Sequence, residues 1–191
     1  SDRDEPEPSL IESLAERMRR DGDVDVAAGI DTVVRSRLFF SSAGKRVKSP
    51  AELVVGATRA LELYSPSPDL GQCERWMSRM GQRLYFSPSV AGWPDGADWL
   101  TTPALVERAN FASEFAAVIN PERVLRSLCV RADSSIETWV DRLAAVMLPV
   151  PLRDSERMRI RQAVEEEPDG AAAKLRLLTR HMLSLPHAQL C

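Results

Sequence analysis

The sequence predicts an all-α protein of about eight or nine helices, packed as a bundle-like array with one long loop rich in aromatic, Pro and Gly residues. Three observations carry that prediction. Apolar residues recur at helical spacing through most of the chain. Ser, Thr or Asn, followed by Pro or Glu, opens one helix after another. No segment alternates apolar and polar residues for long, and no internal repeat of fixed period is visible.

The elements follow in order. Ser9-Leu10-Ile11-Glu12 reads as a capping box, with Leu10, Leu14 and Met18 as one apolar stripe and Gly22 as the stop. Asp25 caps a second helix over roughly Val26 to Phe40, with Ile30, Val33, Val34 and Leu38 on its buried face. Ser49-Pro50-Ala51-Glu52 starts a third, which runs to about Tyr64 and buries Leu53, Val54, Ala57, Ala60, Leu61 and Tyr64. Gly56 in its middle predicts close helix–helix approach, since Gly there costs about 1 kcal/mol against Ala.

Beyond the proline-punctuated break Ser65 to Pro68, a fourth helix covers about Leu70 to Gln82, with Trp76, Met77 and Met80 inward. Arg83 to Leu100 loses the helical period. Thr102-Pro103 opens a fifth helix to about Ile119, and Asn120-Pro121 a short sixth. Ser134-Ser135-Ile136-Glu137 opens a seventh with Ile136, Trp139, Val140, Leu143 and Met147 inward, ended by Pro149 and Pro151. Arg153 to Glu167 and Gly170 to Leu185 complete the set. The expected organisation is a single helical domain over residues 1–191, with a sub-boundary near residues 119–121.

Composition excludes several classes. The 191 residues are 44% hydrophobic and 28% charged, too apolar for disorder, and the 9 glycines show no collagen period. No apolar run approaches the ~18 residues of a membrane span. A formal net charge of −3 argues against nucleic acid as a partner. Cys73, Cys129 and Cys191 are too few and too widely spaced for a disulfide framework or a structural zinc pattern, though one disulfide and a free thiol fit. The stretch Ser1 to Pro8 is acidic and proline-rich, without the apolar region of a signal peptide.

Motifs for chemistry are sparse. Asp21-Gly22-Asp23-Val24-Asp25 mimics the start of a calcium loop. Val26 then stands where Gly is needed and Thr32 where a bidentate Glu is needed. His181, His187 and Cys191 are too few ligands for structural zinc. Arg153, Arg157 and Arg161, with Asp154, Glu156 and Glu165, read as ion pairs on a solvated face. Glu165-Glu166-Glu167 reads as a solvated turn. No nucleophile elbow, phosphate-binding loop or metalloprotease motif occurs. The expectation is therefore no catalytic residue, no metal and no cofactor.

The informative segment is Leu84 to Trp99, where Tyr85, Phe86, Trp93 and Trp99 cluster in a chain only 6% aromatic. Pro94-Asp95-Gly96 is a tight-turn signature. Such a loop is either a plug pinned by its own aromatics or a rim that meets a partner. The expected division puts Trp93 inside as the anchor, with Tyr85 and Trp99 reaching the surface.

Four stretches carry a family resemblance. They are Ser36-Arg37-Leu38-Phe39-Phe40-Ser41, Val47 to Leu61, Met80 to Pro88, and Ala91 to Leu100, continued by Arg108-Ala109-Asn110-Phe111 and by Leu183 to Cys191. Together they resemble the C-terminal half of the bacterial domain-of-unknown-function family 1800. The resemblance implies a largely helical fold and a piece of a longer protein. It also implies a companion from the domain-of-unknown-function family 1501, an exported, sulfatase-like group, and hence the cell envelope or periplasm. It implies no activity and no catalytic residues.

The leading functional expectation is a non-enzymatic interaction or assembly module. Its contact surface would be the Tyr85 to Trp99 loop, with Arg59 and Arg108 as polar anchors. The alternative is an enzyme or ligand-binding protein with a pocket of Trp93, Asp95, Asp98, Arg108 and Asn110.

Overall fold

The computed structural model of the chain describes residues 8–20, 23–61 and 69–191, which fall into two compact units, 1–43 and 44–191. Ten α-helices among the described residues make the protein all-α. The only paired strands among them are the two-residue β1 (Arg19–Arg20) and β2 (Asp23–Val24), antiparallel with Arg19 opposite Val24.

In the first unit, α1 (Pro8–Met18) packs on α2 (Val26–Val34), and α3 (Arg37–Ser41) follows. Helix α1 begins at Pro8, so Ser9 lies inside it and is not its cap. The expected stop at Gly22 lies outside the described residues. Asp25 does cap α2, accepting the Ala28 N–H at 2.9 Å. The expected single helix from Val26 to Phe40 is two helices, because the Ser36 side chain caps α3 by accepting the Phe39 N–H at 3.1 Å. The expected inward face is also corrected: Ile30, Val33, Val34 and Leu38 are all exposed. Among the described residues these three short helices offer a seam between α1 and α2 and no enclosed core. That seam runs past Gly29, where an added Cβ would lie 2.7 Å from Met18 Sδ.

The second unit holds α4 (Pro50–Ala60), α5 (Leu70–Arg79), α6 (Thr102–Val118), α7 (Pro121–Ser127), α8 (Ile136–Met147), α9 (Asp154–Glu165) and α10 (Gly170–Ser184). The α10 helix packs on α6, α7, α8 and α9, while α4 packs on α5 and α8. Leu175, Leu178 and Met182 of α10 are fully buried, with Val54, Val140 and Leu143 from facing helices. Trp76 stands edge-on to Phe111, with ring centroids 5.1 Å apart. The expected inward residues Leu53, Val54, Ala57, Leu61, Trp76, Met77, Met80, Trp139, Val140, Leu143 and Met147 are all buried, while Ala60 and Ile136 are partly buried against them. Tyr64 lies outside the described residues.

Gly56 is exposed and an added Cβ there would meet nothing within 4 Å, so the expected close approach is absent. Its neighbours on the helix face, Leu53 and Ala57, make the contact instead. The Ser49 capping box forms in full: Ser49 Oγ accepts the Glu52 N–H at 3.3 Å, and Glu52 Oε2 accepts the Ser49 N–H at 2.8 Å. Ser49→Ala is therefore expected to lower the unfolding free energy by about 1 kcal/mol, read from denaturant melts.

Candidate functional site

The aromatic loop is built from its two ends. At the first, α5 stops in a Schellman turn: Gly81 adopts φ +97°, its N–H bonds Ser78 O at 3.0 Å, and the Gln82 N–H bonds Met77 O at 2.9 Å. The buried Gln82 side chain then accepts the Ala51 N–H at 2.8 Å and ties the loop to the first turn of α4. At the second end, Asp95 caps a short 3₁₀ turn, Gly96–Trp99, which delivers Trp99 into the unit with only 5% of its surface exposed.

Between these anchors the chain turns outward. The Phe86 N–H bonds Arg83 O at 3.1 Å, and the Arg83 guanidinium lies 4.1 Å from the centre of the Phe86 ring. Tyr85 is 96% exposed and has φ +66°, a left-handed conformation that costs a bulky L-residue about 1–2 kcal/mol. Ser87 Oγ donates to Ser89 O at 2.8 Å, and Gly92, at φ +101°, returns an N–H to Ser89 O. Leu84, Tyr85, Phe86 and Val90 thus form an exposed apolar knuckle on a hydrogen-bonded frame.

The placements differ from expectation at three points. Trp99 is the buried anchor, not a surface residue. Trp93 is half-buried, with its indole N–H enclosed and unbonded. Arg108 is buried, 3% exposed, and is not a surface anchor. It does not share a pocket with Asn110: two residues on a helix are about 200° apart, so Asn110 faces outward from α6. Asp95, Asp98 and Arg59 are exposed. The cavity beside Arg108 includes none of Trp93, Asp95, Asp98 or Asn110.

Arg108 instead holds a strap. Its Nη1 donates to Gln189 Oε1 and its Nη2 to Lys48 O, both at 2.7 Å. The Lys48 N–H donates to Gln189 O at 2.7 Å, Lys48 Nζ to Ala188 O at 3.0 Å, and the Cys191 N–H to Arg46 O at 2.9 Å. Val47 and Leu190 form an antiparallel bridge. Burial lowers the Lys48 ammonium and the Arg108 guanidinium from their ordinary values. Lys48 and Gln189 were not singled out in the sequence, because their partners are distant along the chain.

Residues 2–190 match the family model described as "Protein of unknown function (DUF1800)". The chain belongs to the DUF1800 family. The match extends well beyond Ser36 to Phe115, where the sequence motifs are densest, and takes in both units. Comparison with curated proteins and with solved structures found no match. Among the described residues of this DUF1800 chain, no three His, Cys, Asp or Glu side chains gather as a metal site, and Cys73, Cys129 and Cys191 are free thiols. No helix among them is long and apolar enough to cross a membrane.

Two carboxylates of this DUF1800 member are held well below their ordinary range. Hydrogen bonds from Arg46 bring Glu52 down to about 2. Those from Arg153 do the same for Glu156, also to about 2. Glu156 departs from the expected solvated face: it is 1% exposed, accepts the Arg153 N–H at 3.1 Å, and lies 3.7 Å from His187 Nδ1. A depressed carboxyl contributes stability that is fully present above its unfolded value, 4.5, and is lost as pH falls towards about 2. Denaturant midpoints measured from neutral pH downward should fall across that window. Glu52→Gln and Glu156→Gln should each flatten the fall.

Proposed function

We propose that this DUF1800 chain is a non-enzymatic interaction module whose contact surface is the knuckle Leu84, Tyr85, Phe86 and Val90. The observation that carries the reading is Tyr85: a bulky side chain kept in a left-handed backbone conformation while 96% exposed. No packing of its own ring offsets that strain, and strain of this kind collects at binding sites. The three apolar neighbours supply surface that gains from being covered, and Tyr is favoured among residues that dominate binding energy. The Gln82 and Trp99 anchors pre-organise the surface, so little loop entropy is lost when a partner docks.

The partner expected from the family resemblance is an envelope-associated protein of the domain-of-unknown-function family 1501. Affinity capture from native cells with the full-length protein, against the same protein carrying Tyr85→Ser and Phe86→Ser, tests the reading. The expected result is loss of the captured partner with a melting temperature within the range of ordinary surface substitutions, under about 0.5 kcal/mol of stability change. Equal capture by both proteins would sink the knuckle as the contact surface.

A further inference from the structure

A cavity of about 330 Å³ opens beside the strap, between α6, the start of α10's C-terminal turn and Leu100. Its walls are mainly apolar, chiefly Leu100, Leu105, Leu183, Pro186 and Leu190, with Arg108, Gln189 and Ser184 as the polar residues that meet it. Arg108 is a permanent cation, 97% removed from solvent, and its two bonds go to neutral oxygens of Gln189 and Lys48. Its third donor, Nε–H, is enclosed and has no partner. Among the described residues no carboxylate forms an ion pair with it, and burial lowers its proton affinity. The Lys48 ammonium lies near enough to repel it, while Lys48 itself also faces Cys191 and Glu52.

A buried guanidinium without a counter-charge is costly, and the bidentate fork of Arg suits a carboxylate better than a neutral amide oxygen. Gln189 Oε1 stands where an anionic oxygen would bind more strongly, and Gln189 itself lines the cavity. We propose that this cavity binds a small amphipathic carboxylate. The acid's apolar body fills the space between Leu105, Leu183 and Leu190, and its head takes the place of Gln189 Oε1 on Arg108. The apolar walls select for a hydrocarbon body, and the unpaired charge selects for the acid over the alcohol. The site is separate from the knuckle at Tyr85, so either assignment stands or falls alone.

Calorimetric titration of the purified full chain with octanoate tests it, with octanol as the neutral control of equal length and acetate as the control without a body. Octanoate is expected to bind saturably at one equivalent, octanol at least about tenfold more weakly, and acetate not at all over the same range. Arg108→Gln should weaken octanoate at least about tenfold and leave octanol unchanged. Because Arg108 also holds the strap, Ala109→Trp serves as the second variant. It enters the cavity from an exposed position on α6 without touching the strap's bonds, and should abolish octanoate binding while the circular dichroism spectrum stays native. Absence of saturable octanoate binding, equal affinity for octanoate and octanol, or unchanged octanoate affinity in Ala109→Trp would each overturn the assignment.

Discussion

Trp99→Ala is expected to lower stability by about 3–5 kcal/mol, a large share of the ~5–15 kcal/mol that holds a typical domain together. Trp99 is buried at the end of a four-residue turn, so truncation removes a large apolar side chain from a close-packed interior. It also frees one end of the aromatic loop, and the knuckle should lose order with it. Trp93→Ala should cost less, because Trp93 is half-buried and its enclosed indole N–H already lacks a partner. Removing that donor with Trp93→Phe should be neutral or stabilising. Thermal melts of the three variants check the ranking; a Trp93→Ala loss larger than that of Trp99→Ala would reverse the roles of the two rings.

The second large effect is expected at Trp76. Its ring packs edge-on against Phe111 and Phe115, at 5.1 and 6.0 Å between centroids, in the main core. Its Nε1–H donates to Glu114 Oε2 at 2.7 Å, which with Arg79 draws the Glu114 carboxyl below its ordinary value. Trp76→Ala removes ring and donor together and should cost about 3–5 kcal/mol. Trp76→Phe keeps most of the ring contact and loses the charge-assisted bond, for a smaller cost of about 1.5–3 kcal/mol. Denaturant unfolding of both variants measures the difference; a Trp76→Phe variant as stable as the parent would mean that the Glu114 bond contributes nothing.

Much of the second unit was legible because its signals are local. Ser49-Pro50-Glu52, Asn120-Pro121 and Ser135 each open a helix where the capping chemistry puts it, with the side chain of Ser49, Asn120 or Ser135 on the N3 amide. The fifth helix starts one residue early, since the Thr101 side chain, not that of Thr102, accepts the Ala104 N–H. In the first unit the helical period is present but misleads. Ile30, Val33 and Leu38 make an apolar face that α1 does not cover.

The candidate site was less legible. A loop has no period, so its sequence does not rank Trp93 against Trp99, and the depth of each ring depends on the 3₁₀ turn between Gly96 and Trp99. Arg108 looked like any helix cation because the oxygens that define it, on Lys48 and Gln189, lie 60 and 81 positions away. Glu156 looked solvated because nothing local reports that α9 turns its first carboxyl-bearing face inward. Its position three residues after Arg153 at the helix start was the one available sign.

The strap that ties residues 46–48 to 188–191 sets the order in which the nascent chain can finish folding. Its bonds join residues 140 to 145 positions apart, such as Lys48 with Ala188 and Cys191 with Arg46. At the ~5–20 residues per second of protein synthesis, Cys191 is made roughly 7–30 s after Arg46. Isolated helices relax in about a microsecond, so α4 to α9 have ample time to form and collapse in that interval. Arg108, made part-way through it, waits for Gln189 over the remainder, and Lys48 waits for Ala188 through nearly all of it. The strap closes only when residues 188–191 arrive, against a loop-closure cost that grows just slowly with length. The emergence of residues 188–191, not helix formation, is therefore the event that completes this unit.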